Sequence, residues 1–519
     1  MRFHEILLFL RAYPQSSQIV RLVEKELSRI PERIKVLRDS KVDLSPFDNP
    51  EVSGIAGTSV TDTFSYFIVR WLLKLHPAQV RFDWDWFEDK NRLAETWPRF
   101  MPLLTEDASV EANVPYREWL RAARGKHSEV SWLMARFENL SLSDFEKAEL
   151  YDGQKLYVTW NPSYRSSRTG MRLPVRNVFY HRSPLIQRRD ISFKEELQKP
   201  APRLTRLSVR DGRRILDLAR ESSTVRYREL YGFTHGDERR VLAADLGRGV
   251  NIFIVGTPAE RRLALRAYHA AMIFKNGVAI GYFEGLSLFE RMESGFNLYY
   301  TFRDGETAWL YARTLNLFRQ LLGVTAFSLD PYQIGYENEE GIESGAFWFY
   351  RKLGFRSTSR RLRELTEKEE TKLAKKPGYR SSARILRDLA EEPLILELEE
   401  HRRGDWDQFQ LRRIGFAVQR RMAAEFSGDA ERMRSFLMNS ISKTLGFSAR
   451  GWSSLELSSF REFAPVLALI PNLSDWTREE KKTLVEIIRA KVGVDERRYL
   501  RLMQQHKRFR KSVLKLGSR

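Results

Sequence analysis

Residues 266–303 read RAYHAAMIFKNGVAIGYFEGLSLFERMESGFNLYYTFR, and the turn signals inside this stretch decide the fold. Two apolar-rich runs, Arg266–Lys275 and Val278–Phe289, are joined by Asn276-Gly277. A two-residue type I′ turn needs positive φ at both central positions, and Asn-Gly meets that demand best, so the runs are expected to form a hairpin. The polar break Glu290-Arg291-Met292-Glu293 then precedes a third expected strand over 295–303, giving an antiparallel meander.

Downstream, Ala308, Tyr311, Ala312, Leu315, Phe318 and Leu322 recur every three or four residues. That spacing predicts a helix with one buried face, stopped by Gly323. Val324–Asp330 reads as a short buried strand. A helical crossover between two strands implies a parallel pair, which is free to part at one end and leave an opening. The turn Arg303-Asp304-Gly305-Glu306-Thr307-Ala308 sits just ahead of the helix. Free backbone N–H groups and the positive end of the helix dipole converge there, as a phosphate requires.

A second stretch, Gly345-Ala346-Phe347-Trp348-Phe349-Tyr350-Arg351-Lys352-Leu353-Gly354-Phe355, resembles the closing motif of the GNAT N-acetyltransferase superfamily. Ala346, Phe349, Tyr350, Lys352, Leu353, Gly354 and Phe355 match it position by position. The order of elements agrees as well: hairpin, strand, phosphate loop, helix, strand, helix, Leu-Gly-Phe. The resemblance spans about residues 203–358, under a third of the chain. It implies an α/β (α+β) fold with a central mixed-sheet domain that binds acetyl-CoA or another acyl-CoA and passes the acyl group directly to an amine.

Within that resemblance Tyr350 takes the part of the acid that protonates the departing thiolate. The base is Glu293 or Glu284, with Glu343 as a third candidate. Backbone around Tyr300, Thr301 and Phe302 polarises the thioester carbonyl. Arg303, Gly305, Thr307 and Ala308 form the pyrophosphate loop, with Asn338 nearby. Trp309 and Trp348 read as core aromatics. Two positions depart from the family pattern. Glu306 occupies the loop's central glycine position, where a carboxylate beside a pyrophosphate is repelled unless turned away or paired. Glu343 stands where an Asn often begins the last motif. Two other readings remain open on the same fold: a transferase that uses aminoacyl-tRNA, and a binding module without catalysis.

The 519-residue chain carries 88 Lys and Arg against 68 Asp and Glu, a formal charge of +20. Such a field favours anionic partners: nucleic acid or tRNA, a phosphorylated cofactor, or an acidic membrane surface. There is no cysteine, which excludes disulfides, thiol nucleophiles and Cys-ligated zinc. The eight histidines form no His-x-x-x-His pair, so no catalytic metal is expected. Ile6–Leu10 is too short for a signal-peptide core, and no apolar run approaches the ~20 residues of a membrane span. A soluble cytoplasmic protein is the expectation.

Composition divides the chain into a mainly helical region 1–150, a basic connector 151–202, the 203–358 domain, a charged linker 359–380 and a helical region 381–519. In the first, Pro31 interrupts a helix over Ser17–Leu37, and Thr61 or Asp62 is the expected cap of the next. The acidic-aromatic run Phe82–Glu88 reads as a half-buried strand or turn. The connector should hold strands near 156–160 and 175–180. Thr477 with Glu480 forms a capping box. Arg497–Arg519 holds nine Lys or Arg and no acid, interleaved with apolar residues. That pattern suits an amphipathic helix, docked by its apolar edge or offered to a nucleic-acid or membrane surface.

Overall fold

The computed structural model describes residues 1–87, 91–200 and 202–518. Glu88, Ala201 and Arg519, which fall in the expected acidic-aromatic strand, the linker and the basic tail, lie outside the described residues. The protein is a mixed α/β molecule built around a large mixed sheet. A small sheet comes first, with β1 (Val60–Asp62), β2 (Val80–Phe82) and β3 (Val158–Trp160) in the order β1-β3-β2. The large sheet has nine strands: β4 (Leu204–Arg206), β5 (Val241–Gly247), β6 (Val250–Val255), β7 (Ala267–Lys275), β8 (Val278–Leu288), β9 (Arg291–Leu298), β10 (Ala326–Leu329), β11 (Arg356–Ser357) and β12 (Leu394–Glu397). Their order is β11-β12-β10-β9-β8-β7-β6-β5-β4, and among the described residues β9 with β10 is the one parallel pair.

The expected meander is present as β7, β8 and β9, and the Asn276-Gly277 turn has φ of +47° and +79°, the signature of type I′. The break after β8 differs from the expectation. Leu288 pairs with Arg291, so the chain reverses within Phe289-Glu290 and β9 runs over Arg291–Leu298, not 295–303. A single 3₁₀ turn occupies Tyr300–Phe302. Glu290 and Arg291 read as a polar break because their partners are remote. Glu290 accepts from Trp406 Nε1 at 2.9 Å and from Arg510, and the Arg291 guanidinium lies 5.3 Å over the Trp406 ring.

Helix α1 (Arg2–Ala12) packs on the sheet from the amino end of the chain, α2 (Thr307–Leu322) crosses between β9 and β10, and α3 (Lys507–Gly517) closes the carboxyl end. Thirteen of the sixteen α2 residues are buried, so the helix is covered on more than the one expected face. Phe318 stacks on Phe283 at 4.7 Å, and Tyr311 meets Phe296 at 4.9 Å. On the outer side, the polar Asn316 is satisfied by the carbonyls of Glu196 and Lys199.

One hydrophobic core runs from Leu7 through the large sheet to Leu516. A second gathers Val60–Trp160 with Val225. Residues 1–56 therefore pack with the sheet, whereas the expected 1–150 region joined them to the second core. Other differences follow from the same long-range packing. The 359–380 segment is a helix, Arg360–Lys375, with Leu362 buried. The 381–519 region contributes strand β12 to the sheet. Ser65, not Thr61 or Asp62, caps the Tyr66–Leu75 helix, and 175–180 forms no strand. The expected interruption near Pro31 falls at Arg29, with Pro31 in the first turn of the next helix, and the Thr477–Glu480 capping box stands as expected. The basic tail is docked: Phe509, Val513, Leu514 and Leu516 are buried. No helix among the described residues is long and apolar enough to cross a membrane.

Candidate active site

β10 stays beside β9 for only three residue pairs: Ala326 with Arg291, Phe327 with Met292, and Ser328 with Glu293. β10 then ends at Leu329, and Asp330-Pro331 turns the chain away into a short helix, while β9 continues to Leu298. Backbone groups alternate along a strand. The Tyr299 N–H donates to Ile280 O across the β8 side at 3.0 Å, so Phe296 and Leu298 face the gap left by β10. Side chains cap their carbonyls: Gln333 Nε2 donates to Phe296 O at 3.0 Å and Arg303 Nε to Leu298 O at 3.2 Å. The two N–H groups are left directed into the opening.

The opening is a cavity of about 650 Å³ whose lining includes Tyr282, Asn297, Arg303, Thr307, Asn338 and Tyr350. Tyr350 is 3% exposed, and its hydroxyl accepts a hydrogen bond from Gln333 Nε2 at 3.1 Å. Burial pushes the phenol pKa well above its usual value, so the proton stays on the oxygen at neutral pH. Gln333 thus braces Tyr350 and the β9 edge together. Sequence reasoning missed it, although Asp330 caps the helix carrying it through a bond from the Tyr332 N–H at 2.9 Å, and the Asp-Pro start was visible.

The phosphate-loop residues divide into two groups. Arg303 and Thr307 reach the cavity, where Arg303 also ion-pairs with Glu340 on its rim. Thr301, Phe302, Gly305 and Ala308 face inward. The Thr301 hydroxyl donates to Glu5 of α1 and accepts from Arg168 at 3.4 Å. Gly305 lies against the Tyr13 hydroxyl, 2.4 Å from where a Cβ would sit. Phe302 and Ala308 are buried in the core. Tyr300 is 59% exposed beneath the Arg303 guanidinium.

Glu306 points away from the cavity. Its carboxylate is 2% exposed and bonded to Arg248, to the Ile186 N–H at 3.2 Å and to Lys275 Nζ at 3.3 Å. Burial alone would raise its pKa; the Arg248 hydrogen bond and the Lys275 charge outweigh that and hold it low. Lys275, fully buried, is pushed down to about 8 by burial, with Glu306 opposing. The carboxylate at the glycine position is therefore neutralised behind the loop, and α2 begins with no side-chain cap on its first N–H groups.

The base candidates are set apart. Glu284 lies on the half-exposed face of β8 that also carries Tyr282, accepts from the Tyr268 hydroxyl, and has its pKa raised by burial. It is two residues along the strand from the cavity lining, about 7 Å. Glu293 stands at the paired end of β9, 3.5 Å from Arg266 and 3.8 Å from Arg291, away from the cavity. Glu343 is exposed outside the lining. Among the described residues no group of three or more His, Asp and Glu is placed to hold a metal ion.

The fold and cleft define a mixed α/β protein with one parallel strand pair that parts over a buried tyrosine. No family model, curated protein or solved structure matches the chain.

Proposed function

We propose that the protein transfers an acyl group from acyl-CoA to an amine in the cleft between β9 and β10. The observation that carries the reading is the parting of these strands over the Tyr350 hydroxyl, beside the uncapped start of α2. The pyrophosphate is held by the Thr307 end of α2 with Arg303 and Asn338, where helix N–H groups favour an anion. The thioester carbonyl lies against the Phe296 and Leu298 N–H groups, which act where negative charge develops. The amine nitrogen attacks the carbonyl carbon; a C–N bond forms as the C–S bond breaks. Glu284 takes the amine proton, directly or through water, because burial raises its pKa and so makes the carboxylate a stronger base. Tyr350 protonates the leaving thiolate. Burial raises the phenol pKa, but the same dry surroundings raise that of the thiol, so the transfer is between two desolvated groups.

The test is calorimetric titration of the full chain with acetyl-CoA and longer acyl-CoAs, followed by an assay of free thiol in the presence of an amine panel. Saturable binding with amine-dependent thiol release is expected. Absence of heat and of thermal stabilisation with every acyl-CoA sinks the reading, because a ligand of the folded state must raise its stability.

A further inference from the structure

At the far end of the large sheet from the cleft, four neighbouring strands meet the turn before the Arg497–Gln505 helix. Arg206 of β4 pairs with Leu242 of β5, Leu242 with Ile254 of β6, and Ile254 with Ala271 of β7. Side chains alternate, so His269, two residues before Ala271, shares their face. A cavity of about 40 Å³ opens there under Leu321 of α2.

Two of its polar side chains each carry an atom with no hydrogen-bond partner among the described residues. His269 is 7% exposed and its Nδ1 is unbonded; Thr257 is 2% exposed and its Oγ1 is unbonded. Buried polar groups are almost always hydrogen-bonded, so orphaned ones of this kind call for an occupant. The space exceeds the roughly 10–15 Å³ that one water needs.

The charges around the cavity indicate the occupant. Its two carboxylates are already engaged: Asp495 by Arg497 at 2.7 Å and Glu496 by Lys491 at 2.5 Å. Arg240 is paired with Asp237 at 3.0 Å. Arg206 has no ion-pair partner among the described residues. Arg262 donates to the carbonyls of Lys491 at 2.5 Å and Val494 at 3.4 Å and, among the described residues, has no carboxylate within ion-pair distance, although Glu496 and Asp495 act on it from further away. Two cations and two unused polar groups therefore converge on a space too small for an organic ligand.

We infer that this cavity is a binding site for a small tetrahedral oxyanion, inorganic phosphate or sulfate, held by Thr257 and His269 and neutralised by Arg206 and Arg262. The Thr257 hydroxyl donates to the anion, and neutral His269 donates through Nδ1–H with its other nitrogen bare. The site sits where the sheet edge meets the carboxyl-terminal helices. An anion there ties β4 and β6 to the 491–497 turn.

Potassium phosphate, and separately sulfate, titrated into the full chain in chloride buffer should give one saturable site by calorimetry. Thr257→Val, nearly isosteric, and Arg206→Gln, at an exposed position, should each weaken binding about tenfold or more, since a hydrogen bond to a charged group is worth that much. Arg206→Gln keeps the test valid if Thr257→Val fails to fold. A chain that gives no saturable heat with either anion overturns the inference, and so does binding that neither variant alters.

Discussion

Glu5 sits where α1 meets the Tyr300–Phe302 turn. One oxygen accepts from Arg168 Nη2 at 2.6 Å and from the Thr301 hydroxyl, and the other lies 2.9 Å from His4 Nδ1. Burial works to raise its pKa, but the Arg168 charge and the hydrogen bonds prevail and bring it from 4.5 to about 2. A carboxylate depressed in the folded state gives stability that is complete above pH 4.5 and is lost as pH falls towards 2. The gap corresponds to roughly 3 kcal/mol. Denaturation of the protein and of Glu5→Gln should therefore differ by about that amount near neutral pH and converge in the acid window. Curves that stay parallel down to pH 2 would place the linkage elsewhere. Tyr350 makes a chemical demand of a different kind. Tyr350→Phe removes only the hydroxyl, and Gln333 Nε2 keeps its bond to Phe296 O, so the fold should hold. Turnover should fall about 10²- to 10⁴-fold, the usual worth of a positioned acid, with acyl-CoA affinity little changed. Equal turnover in the two proteins would remove Tyr350 from the chemistry.

The turn between β7 and β8 shows what one element asks of its residues. Gly277 has φ of +79°, and a Cβ there would lie 2.2 Å from the Leu173 carbonyl oxygen. Asn276 beside it donates to Ala12 O at 2.9 Å and accepts from the Phe179 N–H at 2.8 Å, so the turn also docks α1. Gly277→Ala should cost upwards of about 1 kcal/mol in chemical denaturation, because it meets both the wrong φ and a carbonyl. A neutral result would mean that the turn relaxes freely. This turn was legible because everything it needs is local: two residues and the apolar runs around them. The same holds for α2, for the strand after it and for the parting of β9 from β10. Strand β12 was not legible. Leu394–Glu397 is four residues long, lies among helical segments, and becomes a strand only by entering between β10 and β11. Strands β4 to β6 lacked the Asn-Gly form of the signal, although Gly247-Arg248-Gly249, all at positive φ, turns β5 into β6.

Across the whole molecule, what the sequence could not convey is pairing at a distance. Arg303, Thr307, Asn338 and Tyr350 line one cavity, yet the fate of Glu306 depends on Arg248 and Lys275, which no local pattern connects to it. Glu290 repeats the lesson at the other end of β9. It is 2% exposed in the β8–β9 turn and is held by Arg510 of α3, 220 residues away, with Trp406 Nε1 at 2.9 Å. Phe509, fully buried, meets Phe289 of the same turn at 5.5 Å, so α3 is fastened to the sheet by an ion pair and an aromatic contact side by side. Burial alone would raise the Glu290 pKa; the bond from Arg510 lowers it, so the carboxylate is charged and committed to its partner. Removing one member of such a pair leaves the other charged and unpaired in apolar surroundings, which costs about 3–5 kcal/mol, whereas replacing both with apolar residues of similar volume is often neutral. Glu290→Ala should therefore destabilise the protein by an amount in that range, moderated because Arg510 keeps Asp405 at 2.9 Å. The double variant Glu290→Met with Arg510→Leu should recover part of the loss, the remainder being the Trp406 Nε1 donor and the Asp405 carboxylate left without these partners. Denaturation midpoints of the three proteins decide it: if the double variant is as unstable as Glu290→Ala, the tail is held by the Phe509 contact and the ion pair contributes only its geometry.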